Sequence, residues 1–135
     1  MLSAKQLKLA EKAALQQRQV IAELNALAKD IERCEKTIIT LRSELEAVNS
    51  KHQGQRTTRE DIAYLSGLLE CAKKKLAWEK QMASLQKRTP AILESMTRLM
   101  HDPQAPPAED TREEMLRALQ TIQAAMERLN QAKVN

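Results

Sequence analysis

The feature that most constrains this chain is a run of more than forty residues, Leu7 to Val48, with no proline or glycine and a repeating apolar rhythm. Its aliphatic and small positions, in order, are Leu7, Ala10, Ala14, Ile21, Leu24, Leu27, Ile31, Cys34, Ile38, Leu41, Leu45 and Val48. Apart from polar Gln17, they recur at steps of three and four, with one irregular three-three step around Leu24 and Leu27. That period places them on one face of a helix near 3.5 residues per turn. At about 1.5 Å per residue such a helix reaches on the order of 60 Å, about twice the width of a compact domain of this size. It cannot be the buried centre of a globule, so its seam must be covered by helices laid alongside. Leu9, Leu15, Val20 and Ile39 fall outside the strict stripe and broaden it, which favours three or more helices in cross-section.

The rest of the chain reads as further helices. Ser3 is a candidate N-cap for the first helix, about residues 3–50. The rhythm is lost over residues 49–57, where Gly54 can adopt positive φ and the chain turns. Thr57 with Glu60, or Thr58 with Asp61, supplies a capping box for a second helix over 58–87. That helix carries one stripe of Ile62, Leu65, Leu69, Ala72 and Leu76, and beside it Leu68, Trp78, Met82 and Leu85. Two stripes imply two partner helices. Gly67, costly inside a helix, implies close approach of a neighbour.

Thr89-Pro90 reads as the N-cap and first position of a short helix over 90–101, with a kinked continuation as the alternative. Residues 103–109, with three prolines, form a stiff linker. Asp110 or Thr111, with Glu113 or Glu114, caps a last helix over 111–132, whose seam is Met115, Leu119, Ile122, Met126 and Leu129. The expected fold is all-α and a single elongated domain over 1–135, a long antiparallel coiled-coil hairpin continuing into a three- or four-helix bundle. The second helix, ending at residue 87, covers the first only from about Leu24 to Val48. The overhang then needs the last helices or a second copy.

Composition agrees with this and narrows function. One Trp, one Tyr, no Phe and 30% charged residues suit long helices, not sheets. No window is apolar enough to span a membrane, and nothing at the start resembles a signal peptide. Two cysteines, Cys34 and Cys71, make no disulfide framework, so a reducing cytoplasm is expected. Phosphate-loop, nucleophile-elbow and zinc-helix motifs are missing, and His52 and His101 lack a second ligand at helical spacing. The sequence therefore points to a protein that is not an enzyme and uses no cofactor, metal or small-molecule substrate.

The net charge of +4 is uneven. Residues 57–88 hold seven basic against four acidic side chains, while 89–135 hold five against seven. Arg56, Arg59, Lys73, Lys74, Lys75, Lys80, Lys87 and Arg88 are the candidate phosphate contacts, although consecutive lysines fan around a helix and more simply form a solvated face. The leading expectation is a helical adaptor, scaffold or chaperone-like protein that self-associates, with a dimer favoured, and binds a protein partner. Its expected association seam is Leu7, Ala10, Ala14, Ile21, Leu24, Met115, Leu119, Ile122, Met126 and Leu129. The alternative is an accessory nucleic-acid-binding protein that docks phosphates on the basic stripe.

Overall fold

The computed structural model describes residues 3–54 and 56–134, which form three helices: α1 (Ala4–Lys51), α2 (Thr58–Met100) and α3 (Glu109–Val134). No strand occurs among the described residues, and no helix is long and apolar enough to cross a membrane. The protein is all-α.

Local chemistry sets most of the ends. Ser3 and Gln6 close a capping box on α1: the Gln6 amide donates to Ser3 Oγ at 3.2 Å and the Ser3 amide to Gln6 Oε1 at 2.8 Å. Two otherwise orphaned donors are satisfied at once. After Lys51, Gly54 takes φ of 86°, and Thr57 rather than Thr58 caps α2, accepting from the Glu60 amide at 3.2 Å. Asp110 and Thr111 are not caps. The last helix already begins at Glu109, with the Arg112 amide bonded to the Ala108 carbonyl at 2.9 Å. This places the carboxylates of Glu109 and Asp110 in the first turn, where they complement the helix dipole.

The expected break at Pro90 does not occur. Residues 58–87 and 90–101 are not two helices; α2 runs through Pro90 to Met100. Proline at that position deprives the Gln86 carbonyl of its usual amide partner. The Thr89 hydroxyl, one residue earlier, donates to the Leu85 carbonyl at 2.6 Å. Leu85 before the proline and Met96 and Met100 after it are buried in one common core, with Ile92 and Leu93 packed against it. Burial of several such side chains, at about 1.5–3 kcal/mol each, outweighs the roughly 3 kcal/mol that an interior proline costs.

Because α2 continues, it covers more of α1 than a helix ending at 87 would. Tyr64 reaches Asn49, Lys74 reaches Glu44, Trp78 reaches Cys34 and Arg88 reaches Asp30, so the two helices run antiparallel. Further along, Ser95, Arg98 and Leu99 line a depression with Gln16, Gln19 and Val20. The overhang is therefore only the first turns of α1. α3 runs parallel to α1: Gln17 Nε2 lies 3.5 Å from the Ala105 carbonyl just before it, and Arg128 near its end pairs with Glu35 at 3.3 Å and Glu32 at 4.0 Å. α1 touches both other helices extensively, whereas α2 and α3 meet only weakly.

The buried row of α1 is Ala13, Gln17, Val20, Leu24, Leu27, Ile31, Cys34 and Leu41, with Ala28 beside it. This corrects the expected register over the first turns. The row passes through Gln17 and Val20, not Ala14 and Ile21; its steps of four and three alternate from Ala13 to Cys34, and half-buried Ile38 carries them on to Leu41. A polar residue at a core position had disguised the repeat. Gln17 is tolerated there because its amide faces the linker carbonyl of Ala105. Leu24, Leu27 and Ile31 of α1 and Met115 and Leu129 of α3 are the largest fully buried side chains, and they share one core with Trp78, Met82, Leu85, Met96 and Met100 of α2.

Candidate protein-docking surface

α2 has two apolar faces, and only one is used internally. Cys71, Trp78, Met82 and Leu85 turn toward α1 and are buried. The second face, Ile62, Leu65, Leu69 and Leu76, is exposed at 62%, 62%, 56% and 55%. Leu69 and Leu76 each lie two residues from Cys71 and Trp78, about 200° around a helix of 3.6 residues per turn, so they point away from α1. With Ala72 they form a row at steps of three and four, the spacing by which one helix grips another. The row is visible in the sequence, where two stripes imply two partner helices. Among the described residues no helix packs on it.

Among the described residues no other exposed apolar group forms such a row. Leu7, Leu9 and Leu15 on α1 are each about half exposed. Leu7 and Leu9 stand about 200° apart on the helix, so the group has no common direction. Leu116 is isolated on α3. An open groove of about 770 Å³ between α2 and α3, lined by Leu93, Leu119, Ile122 and Met126, follows from the weak contact of those helices.

The residues expected to form an association seam are mostly internal. Leu24, Met115, Ile122 and Leu129 are buried, and Ile21, Leu119 and Met126 are half-buried against the same core. Ala14 is half-buried beside the linker, and only Leu7 and Ala10 stand exposed. The buried and half-buried ones pack the chain's own helices together.

The eight candidate phosphate contacts do not form one surface either. Arg56 pairs with Asp61 at 3.0 Å and lies 4.3 Å above the Tyr64 ring. Lys74 pairs with Glu44 at 2.7 Å and Arg88 with Asp30 at 2.9 Å, both across the α1–α2 contact; Lys73 is 3.8 Å from Glu70. Arg59, Lys75, Lys80 and Lys87 have no ion-pair partner among the described residues. The Glu44 hydrogen bond and charge raise the Lys74 pKa above the ordinary lysine value.

The cysteines lie inside and the histidines at helix ends. Cys34 and Cys71 are buried free thiols. Cys34 faces Gln81, 3.7 Å from its Oε1, while Cys71 sits more than two turns earlier on α2. Burial raises the Cys34 pKa; the Asp30 charge adds to the rise and Arg88 opposes it. His52 caps the C-terminus of α1 beside Tyr64, and His101 caps α2, its amide bonded to the Thr97 carbonyl. Compared with family models, curated proteins and solved structures, the chain matches none.

Proposed function

We propose that the protein is a non-catalytic helical interaction module, of the adaptor, scaffold or chaperone-like kind. In this reading α1 and α2 form a coiled-coil hairpin, α3 turns its base into a three-helix bundle, and the outward face of α2 takes a helix from a partner protein. The observation that carries the proposal is the row Ile62, Leu65, Leu69 and Leu76, each more than half exposed at heptad spacing on the back of α2. Scattered surface leucines need no explanation, but a contiguous apolar stripe marks an interaction site. A helix laid along such a stripe recognises it by anchors at three- and four-residue steps.

The test uses two labelled 21-residue peptides with leucine at both core positions of each heptad. One carries glutamate at the flanking positions and the other lysine. At least one is expected to bind the full chain in fluorescence anisotropy. Leu65→Glu with Leu69→Glu should abolish that binding while leaving the circular dichroism melt unchanged, since both side chains already face solvent. If neither peptide binds, the docking function is wrong.

A further inference from the structure

The charges beside the exposed row of α2 say what kind of helix fits it. Taking Ile62, Leu65, Leu69, Ala72 and Leu76 as the seam, one flank carries Arg59, Lys73 and Lys80 and the other Asp61, Leu68 and Lys75. Asp61 is neutralised by Arg56 at 3.0 Å. Lys73 is engaged only weakly, 3.8 Å from Glu70 with both side chains well exposed, and Arg59, Lys75 and Lys80 have no ion-pair partner among the described residues. At positions without an ion-pair partner both edges of the apolar row are positive, except at its end, where Glu79 follows Leu76.

That pattern disfavours a second copy of this chain. In a parallel pair, Lys75 of one helix meets Lys80 of the other. In an antiparallel pair, Arg59 meets Lys73 or Lys80. Like charges at flanking positions select against such pairings, as they do in natural coiled coils. A lipid surface fits less well too. The row is a narrow seam rather than the broad apolar face of an interfacial helix, and the chain has no Phe. Its one Trp is turned inward, with Nε1 bonded to the Cys34 carbonyl.

We infer that the occupant is an amphipathic helix of a different protein, with acidic side chains flanking its own apolar seam. The inference rests on the docking reading above and adds the partner's chemistry. Its apolar residues pack between Ile62 and Leu76, and its carboxylates pair with Arg59, Lys73, Lys75 and Lys80. Steering by those charges raises the association rate and rejects basic helices.

The same two peptides separate the ideas. The glutamate-flanked peptide is expected to bind at least tenfold tighter than the lysine-flanked one, with the difference shrinking as salt is raised from 50 to 500 mM. A triple reversal, Lys73→Glu with Lys75→Glu and Lys80→Glu, should invert the preference while the melt stays unchanged. Equal binding, or preference for the lysine peptide, overturns the acidic partner but leaves the docking face standing. Sedimentation velocity adds a second check. A wild-type dimer that Leu69→Glu dissolves would make the occupant another copy. Tight binding to phosphatidylserine vesicles or duplex DNA, with neither peptide bound, would also overturn the inference.

Discussion

The indole N–H of Trp78, on α2, donates to the backbone carbonyl of Cys34, on α1, at 2.9 Å. A helical carbonyl already has its amide partner, and the indole takes its second lone pair. The bond lies inside the core, where Trp78 is buried, and it pins the two helices in one relative position. An apolar side chain at 78 would hold them together but would not fix that position.

Trp78→Phe keeps most of the apolar contact and removes this bond. The expected cost is about 1–3 kcal/mol, the range for a buried hydrogen bond lost with some packing. Urea denaturation measures it. A change under about 0.5 kcal/mol would show that the indole N–H does not matter to the fold.

Pro90 is the reverse case, a residue the fold tolerates at a cost. Pro90→Ala restores an amide that can reach the Gln86 carbonyl inside α2, and stability should rise by at least about 1 kcal/mol. The readout is thermal melting, with an upward shift of several degrees. A fall in melting temperature would mean that the core requires the proline's local geometry.

Gly67 faces Val48, and a Cβ built on it falls 3.1 Å from Val48 Cγ1 and 3.2 Å from Cγ2. Alanine is favoured over glycine by about 1 kcal/mol in a helix, but here that gain meets a crowded neighbour. Gly67→Ala should be nearly neutral alone and stabilising by about 1 kcal/mol when measured in a Val48→Ala background. Equal effects in both backgrounds would remove the close approach as the reason for glycine, and a double-mutant cycle decides it.

Cys34 and Lys74 both have raised pKa values in the folded protein, one through burial and the other through its hydrogen bond to Glu44. The fold binds each of those protons more tightly than the unfolded chain does. The stability they contribute is fully present below the unfolded values and is lost as pH rises toward the folded ones. Melting temperature should stay level to about pH 8 and then decline, since an unperturbed thiol titrates near 8.5. Cys34→Ala should make the decline shallower. A melting temperature that rises above pH 9 would contradict the assignment.

The parts of the fold legible in the sequence were those set by short-range chemistry. Ser3, Gly54, Thr57 and Gly67 each did what their residue type suggests, because a cap, a positive φ or a close approach depends on a few neighbouring atoms. Two features depend on distant contacts that no local pattern shows. Gln17 looked like a gap in the apolar row, and only the Ala105 carbonyl 88 positions later shows why a polar side chain can occupy it. Pro90 looked like a boundary, and only the shared core of Leu85, Met96 and Met100 shows why the helix continues.

The candidate site was legible as a pattern but not as a surface. Both apolar rows of α2 are visible in the sequence, and nothing local tells which one α1 takes. One signal was available: the inward row continues through Trp78, Met82 and Leu85, while the outward one ends at Leu76 and is followed by Glu79. The longer row is the one that can follow α1 into the region where all three helices meet.

α3 is shorter than the pair it packs on. Near its end Lys133 lines a groove with Ile38, Leu41 and Leu45 of α1, so residues 45–51 of α1 and 58–68 of α2 lie beyond α3 as a two-helix arm. Fewer buried contacts there mean a smaller free energy of local opening than in the region around Leu24 and Leu129. Backbone amides of the arm should exchange with deuterium long before those of the three-stranded end. Such an arm can fray and re-form while the remainder keeps its shape, so a ligand that grips it slows that exchange without altering the rest.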